Sequence, residues 1–130
     1  MSYSSKRLFK IWAYSVSHSF LLLRSTAEDI IEGNYECEEN FNIDVEFNGV
    51  GYLDLPVILE NIAIREIKKN VPDKFIMFKP SLGFKVFEIV TNDNIFYVVA
   101  GNYQVGKNNW LNERKSHFRE RYLYTRKIFL

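Results

Sequence analysis

The sequence predicts a β-rich α+β domain: a mostly antiparallel sheet of about six or seven strands with a C-terminal helix. Three observations lead there. The 130 residues include eleven Phe, eight Tyr and two Trp, and aromatic side chains suit a pleated, half-buried surface. Apolar and polar residues alternate between turn signals, most clearly over Phe41–Phe47. From about Asn109 the pattern changes, and Leu111, Phe118 and Tyr122 fall on one helical face. A chain of this length forms one domain, residues 1–130.

Residues Arg7 to Ser25 form the longest apolar-rich stretch, broken only at Ser17-His18-Ser19. They read as two strands meeting at that polar break. Phe9, Ile11 and Ala13 share one face of the first strand, and Leu8, Trp12, Tyr14 and Val16 share the other, so it should be covered on both sides. A helix is the rival over 7–16, but serines at 15, 17 and 19 compete for its backbone hydrogen bonds. Ala27–Asn40 has no sustained period and reads as a long loop.

Phe41, Ile43, Val45 and Phe47 alternate with Asn42, Asp44, Glu46 and Asn48, which predicts a strand with one wet face. Asn48-Gly49 then predicts a two-residue type I′ turn, with Val45, Phe47, Val50 and Tyr52 buried. Val57–Lys69 fits helix or strand, and its β-branched residues favour a strand over Asn61–Ile67. Breaks follow at Asn70–Asp73 and Pro80–Gly83. Phe84–Val90 and Ile95–Ala100 form a second hairpin around Thr91–Asn94, and Gly101 or Gly106 marks a bend. Asn108 or Asn109 caps the terminal helix, which leaves a frayed or strand-like tail at Tyr124–Leu130.

Net charge is +1, but the charge is sorted along the chain. Residues 28–46 hold eight acids and no base, whereas 107–130 hold seven bases against Glu113 and Glu120. Either the two segments neutralise each other internally, or the acids answer a basic partner. The second possibility gives the leading functional expectation. The chain is then a non-catalytic protein-binding domain, in one form an antagonist or immunity-type protein, whose contacts are Glu36, Glu38, Glu39, Asp44 and Glu46. A nucleic-acid module using Arg114, Lys115, Arg119 and Arg121 is the alternative, though such domains are usually more basic overall.

A third expectation is an enzyme built on His18, Arg24 and Asp44, with His18 as general base. It requires His18 and Asp44 within hydrogen-bond reach in a cleft. No serine, cysteine or second acid stands at a diagnostic spacing. His18, His117 and the single Cys37 do not form a zinc pattern, and no phosphate-cradling glycine motif is present, so neither metal nor cofactor is expected. Glu36, Glu38 and Glu39 around Cys37 disfavour its thiolate.

Ser17–Ser25 together with Asn42–Val50 resembles a small, uncharacterised bacterial domain family. The resemblance implies a bacterial origin and one compact domain, and it assigns no catalytic residue. The single cysteine fits a reducing compartment. The first apolar run, interrupted by Lys10, serines and His18, reads as neither signal peptide nor spanning helix. A cytoplasmic protein with no membrane partner is therefore expected.

Overall fold

The structure is a computed structural model that describes residues 2–26, 41–108 and 128–129. The strands are β1 (Ser2–Ser15), β2 (Phe20–Ser25), β3 (Asn42–Asn48), β4 (Tyr52–Asp54), β5 (Ile58–Ile67), β6 (Lys85–Val90), β7 (Ile95–Ala100), β8 (Asn102–Asn108) and β9 (Ile128–Phe129). All nine belong to one antiparallel sheet, in the order β4-β7-β6-β5-β1-β2-β3-β8-β9. The expected β-rich, antiparallel architecture is present. Among the described residues, helix is confined to two 3-10 turns, Asp73–Phe75 and Pro80–Leu82. The expected C-terminal helix falls outside the described residues, and β9 is what is described near the chain end.

The strand count differs from six or seven because two long strands are each divided by a bend. β3 continues into β4 across Gly49–Gly51, and β7 continues into β8 across Gly101. Hydrogen bonds follow the bend: Gly101 N–H donates to Asn48 O and Gly51 N–H donates to Val99 O, both at 2.8 Å. The ladder therefore turns a corner there, and the sheet closes on itself as a barrel. The opposite corner is β1, whose first part pairs with β5 and whose second part pairs with β2. Two irregularities bend it, one at Lys6-Arg7 opposite Asn61 and one at Trp12. Asn61 sits at φ +51°, a conformation that asparagine tolerates better than most residues.

The expected turn at Asn48-Gly49 does not form. A type I′ turn needs positive φ at both central residues, and only Gly49 has it, at +68°. Asn48 is already paired on both sides, with Phe20 on β2 and Asn102 on β8. Val45, Phe47 and Val50 are buried as expected. Tyr52 instead joins a second cluster around Phe75, Val86 and Val99, because the bend moves the chain into the other half of the sheet. The remaining hairpins match the sequence. β1 and β2 meet around Val16–Ser19, and β6 pairs with β7 through Phe87↔Val98 and Ile89↔Phe96.

The interior is filled from all sides by Phe9, Leu21, Leu23, Val45, Ile64 and Ile89 among others. Within it Phe47 and Phe87 form an aromatic triad with the half-buried Tyr103, with centroids 5.1–5.8 Å apart. The Tyr103 hydroxyl is buried and has no hydrogen-bond partner among the described residues. Such a group carries a desolvation cost, so Tyr103→Phe should raise stability by about 1 kcal/mol in urea unfolding at neutral pH. Burial also raises the phenol pKa above its ordinary value of 10.0. As pH rises the unfolded chain ionises first, so stability held below that value is lost as pH climbs through the native pKa. Tyr103→Phe should flatten this alkaline decline.

Candidate functional site

The most structured polar arrangement lies where β2, β3 and β8 run side by side, with Arg24 opposite Asp44 and Asp44 opposite Gly106. The Arg24 guanidinium donates from Nε to Asp44 Oδ1 at 2.7 Å and from Nη2 to Oδ2 at 2.9 Å. This planar two-point fit is the strong form of the arginine–carboxylate pair. Asn108, diagonal to Asp44 across the ladder, donates from Nδ2 to the same Oδ2 at 2.9 Å. Asn42 Nδ2 donates in turn to Asn108 Oδ1 at 3.0 Å. The guanidinium also lies 5.1 Å from the Trp12 ring centroid.

Arg24 and Asp44 are 1% and 0% exposed, and Glu46 is 8% exposed. The face of β3 expected to be wet is therefore buried. Its polar residues can lie there because Arg24 and Asn108 supply bonds from strands distant in sequence. Asp44 and Glu46 are accordingly not surface contacts.

Immediately beside this network, β2 and β3 enclose a long connection. Ser25 pairs directly with Ile43, yet residues 27–40 stand between the two strands. Adjacent antiparallel strands need only about two to five residues to connect. Both ends of this segment are pinned by one side chain. Arg7, buried at the β1 irregularity, donates from Nη2 to Phe41 O at 2.8 Å and to Thr26 O at 3.3 Å. The Phe41 ring lies 5.6 Å from the Arg7 guanidinium carbon and 4.8 Å from the Lys107 ammonium.

Of the residues nominated from sequence, Arg24 and Asp44 are brought together and His18 is not. His18 lies in the β1–β2 turn, where its Nδ1 is 3.2 Å from Ser15 Oγ and 3.0 Å from Ser17 Oγ. Phe20–Arg24 of β2 separates it from the ion pair, a run of roughly 13 Å at the usual strand rise. Glu36, Glu38 and Glu39 lie outside the described residues, as do Arg114, Lys115, Arg119 and Arg121. The last residues of the acidic segment nonetheless run beside the first residues of the basic one, because Asn42 pairs with Asn108 and Ile43 with Lys107. Sequence reasoning missed Arg7, Asn42 and Asn108. The available signals were an arginine within an apolar strand and asparagines at strand ends, both too common to single out.

No protein-family model, curated protein or solved structure matches the chain. Among the described residues, no group of three or more His, Cys, Asp or Glu side chains could hold a metal ion. No helix among them is long and apolar enough to cross a membrane.

Proposed function

We propose that this chain is a non-catalytic domain that engages another protein, and that the connection between β2 and β3 carries the contact. The observation that supports this most directly is the Arg7 clamp. One buried guanidinium holds the carbonyls of Thr26 and Phe41, so the two residues that flank the acid-rich segment are fixed at one neck. Segments longer than a connection requires, mounted on a rigid scaffold, commonly carry function.

The Arg24–Asp44–Asn108 network suits a scaffold better than a reaction centre. Its groups are engaged with one another and lie away from solvent. With Asp44 and Glu46 buried, the contacts reduce to Glu36, Glu38 and Glu39, and they call for a basic partner. The single Cys37 supports placing the protein in the cytoplasm.

The test is a tagged Glu36→Lys, Glu38→Lys, Glu39→Lys variant used for pull-down from native cell extract at low and high salt. A partner captured by the parent at low salt should be lost from the variant, and lost from the parent at high salt. An unchanged set of captured proteins refutes the proposal. Unchanged partners with a lower Tm would mean that the acids pair with the basic end of the same chain.

A further inference from the structure

A strap of chain, Val71–Phe84, crosses the outer face of β4, β7 and β6. It is anchored by Phe75, which is buried against Val86 and Val99. Phe75 stacks edge-on against Tyr52 and Tyr97 at 4.9 and 5.2 Å. Phe78 meets Phe84 at 5.3 Å. Both rings touch the backbone at Gly51, where an added Cβ would come within 2.9 Å of each. The base of the strap is therefore firmly seated.

Its outer side is different. Ile76, Met77 and Leu82 are 81%, 69% and 70% exposed. They project at or just after two short 3-10 turns, beside an apolar groove of about 550 Å³ whose charged lining is Glu66, Lys68 and Lys85.

The charge around these side chains is one-sided. Residues 66–85 contain Lys68, Lys69, Lys74, Lys79 and Lys85, all exposed, against Glu66 and Asp73. The Lys74 ammonium lies 5.1–5.7 Å from the centroids of Tyr52, Phe75 and Tyr97, so its charge rests on the aromatic cluster. Every base in the segment is lysine and none is arginine. Protein interfaces are depleted in lysine and enriched in arginine. Anionic lipid surfaces attract clustered lysines and admit projecting apolar side chains between their headgroups.

We propose that the strap docks on an anionic lipid bilayer. Ile76, Met77 and Leu82 enter the boundary between headgroups and acyl chains, and the lysines meet the lipid phosphates. The contact is peripheral and crosses nothing. It is also independent of the β2–β3 connection, whose flanking residues Thr26 and Phe41 are held by Arg7 of β1.

The experiment sediments the purified full chain with vesicles of phosphatidylcholine alone or of equimolar phosphatidylcholine and phosphatidylglycerol. The protein should sediment with the phosphatidylglycerol vesicles only, and less at high salt. Ile76→Ser, Met77→Ser, Leu82→Ser together should weaken binding roughly tenfold or more, as should Lys79→Glu with Lys85→Glu. These positions are exposed, so the Tm of both variants should match the parent. As a second readout, Leu82→Trp should shift its emission to the blue on phosphatidylglycerol vesicles alone. The proposal is overturned if the parent fails to sediment with those vesicles, or if the triple serine variant sediments equally well. It is also overturned, in favour of a protein-docking strap, if no form binds vesicles but the serine variant loses a protein that the parent captures.

Discussion

Asp44→Ala should lower the stability of the barrel by about 3–5 kcal/mol, as expected when one member of a buried ion pair is removed. The substitution leaves the Arg24 guanidinium buried and without the carboxylate to which its Nε and Nη2 donate. It also takes away the acceptor of the Asn108 amide. The large effect comes from the charge left behind, and does not mean that the pair itself is strongly stabilising. Arg24→Met combined with Asp44→Leu should therefore recover most of the loss. Urea unfolding of the parent, Arg24→Met, Asp44→Leu and the double variant would measure the coupling as a cycle. A loss of less than about 1 kcal/mol for Asp44→Ala, the size typical of exposed pairs, would show that water reaches the network.

Phe47→Ala should cost a similar amount, about 3–5 kcal/mol, for a different reason. Phe47 is fully buried one residue before the last residue of β3, so its ring helps fill the space behind the corner. It packs edge-on against Phe87 at 5.8 Å and tilted against Tyr103 at 5.6 Å. These neighbours come from β6 and β8, on the two sides of the bend at Gly101. A cavity there can collapse only if both halves of the sheet move together. Phe47→Leu, which retains most of the volume, should cost clearly less. Equal losses for the two variants would mean that the ring edge contacts matter more than the filled volume.

The parts of the fold that could be read from sequence are those whose cause is local. The Ser17-His18-Ser19 break and Thr91–Asn94 lie between alternating strands, and both turns form as expected. Asn48-Gly49 carried an equally strong local signal and misled. Whether it folds back depends on what already pairs with Asn48, and those partners are Phe20 and Asn102. The same holds for Asp44. Alternation with Ile43 and Val45 marks it as outward-facing, but the distant Arg24 and Asn108 supply its hydrogen bonds on that face. Val57–Lys69 fits helix or strand from its residues alone, and the pairing of Ile58–Ile67 with β1 and β6 makes it a strand that starts before the expected Asn61. For the candidate contact surface, composition pointed to the acidic segment. The clamp at its neck involves a residue 34 positions from one of its two acceptors, and no local pattern announces that.

The way β1 divides its pairing between two neighbours has a consequence for how the molecule is made. Its second part can zip onto β2 as soon as both exist, across a turn of a few residues. Its first part, Ser2–Lys10, must wait for Ile58–Arg65, with partners from 48 positions away (Lys10 and Ile58) to 63 (Ser2 and Arg65). The first part of β1 thus finds its hydrogen bonds later than the second part does. Closing loops of that span before any contact rewards them is slow, so refolding in milliseconds to seconds is expected, as for other sheets dominated by non-local pairs. Until β5 arrives, one edge of β1 is an open template for another copy. Lys6, Arg7 and Lys10 lie along that edge, and they would keep two nascent chains apart while each waits for its own β5.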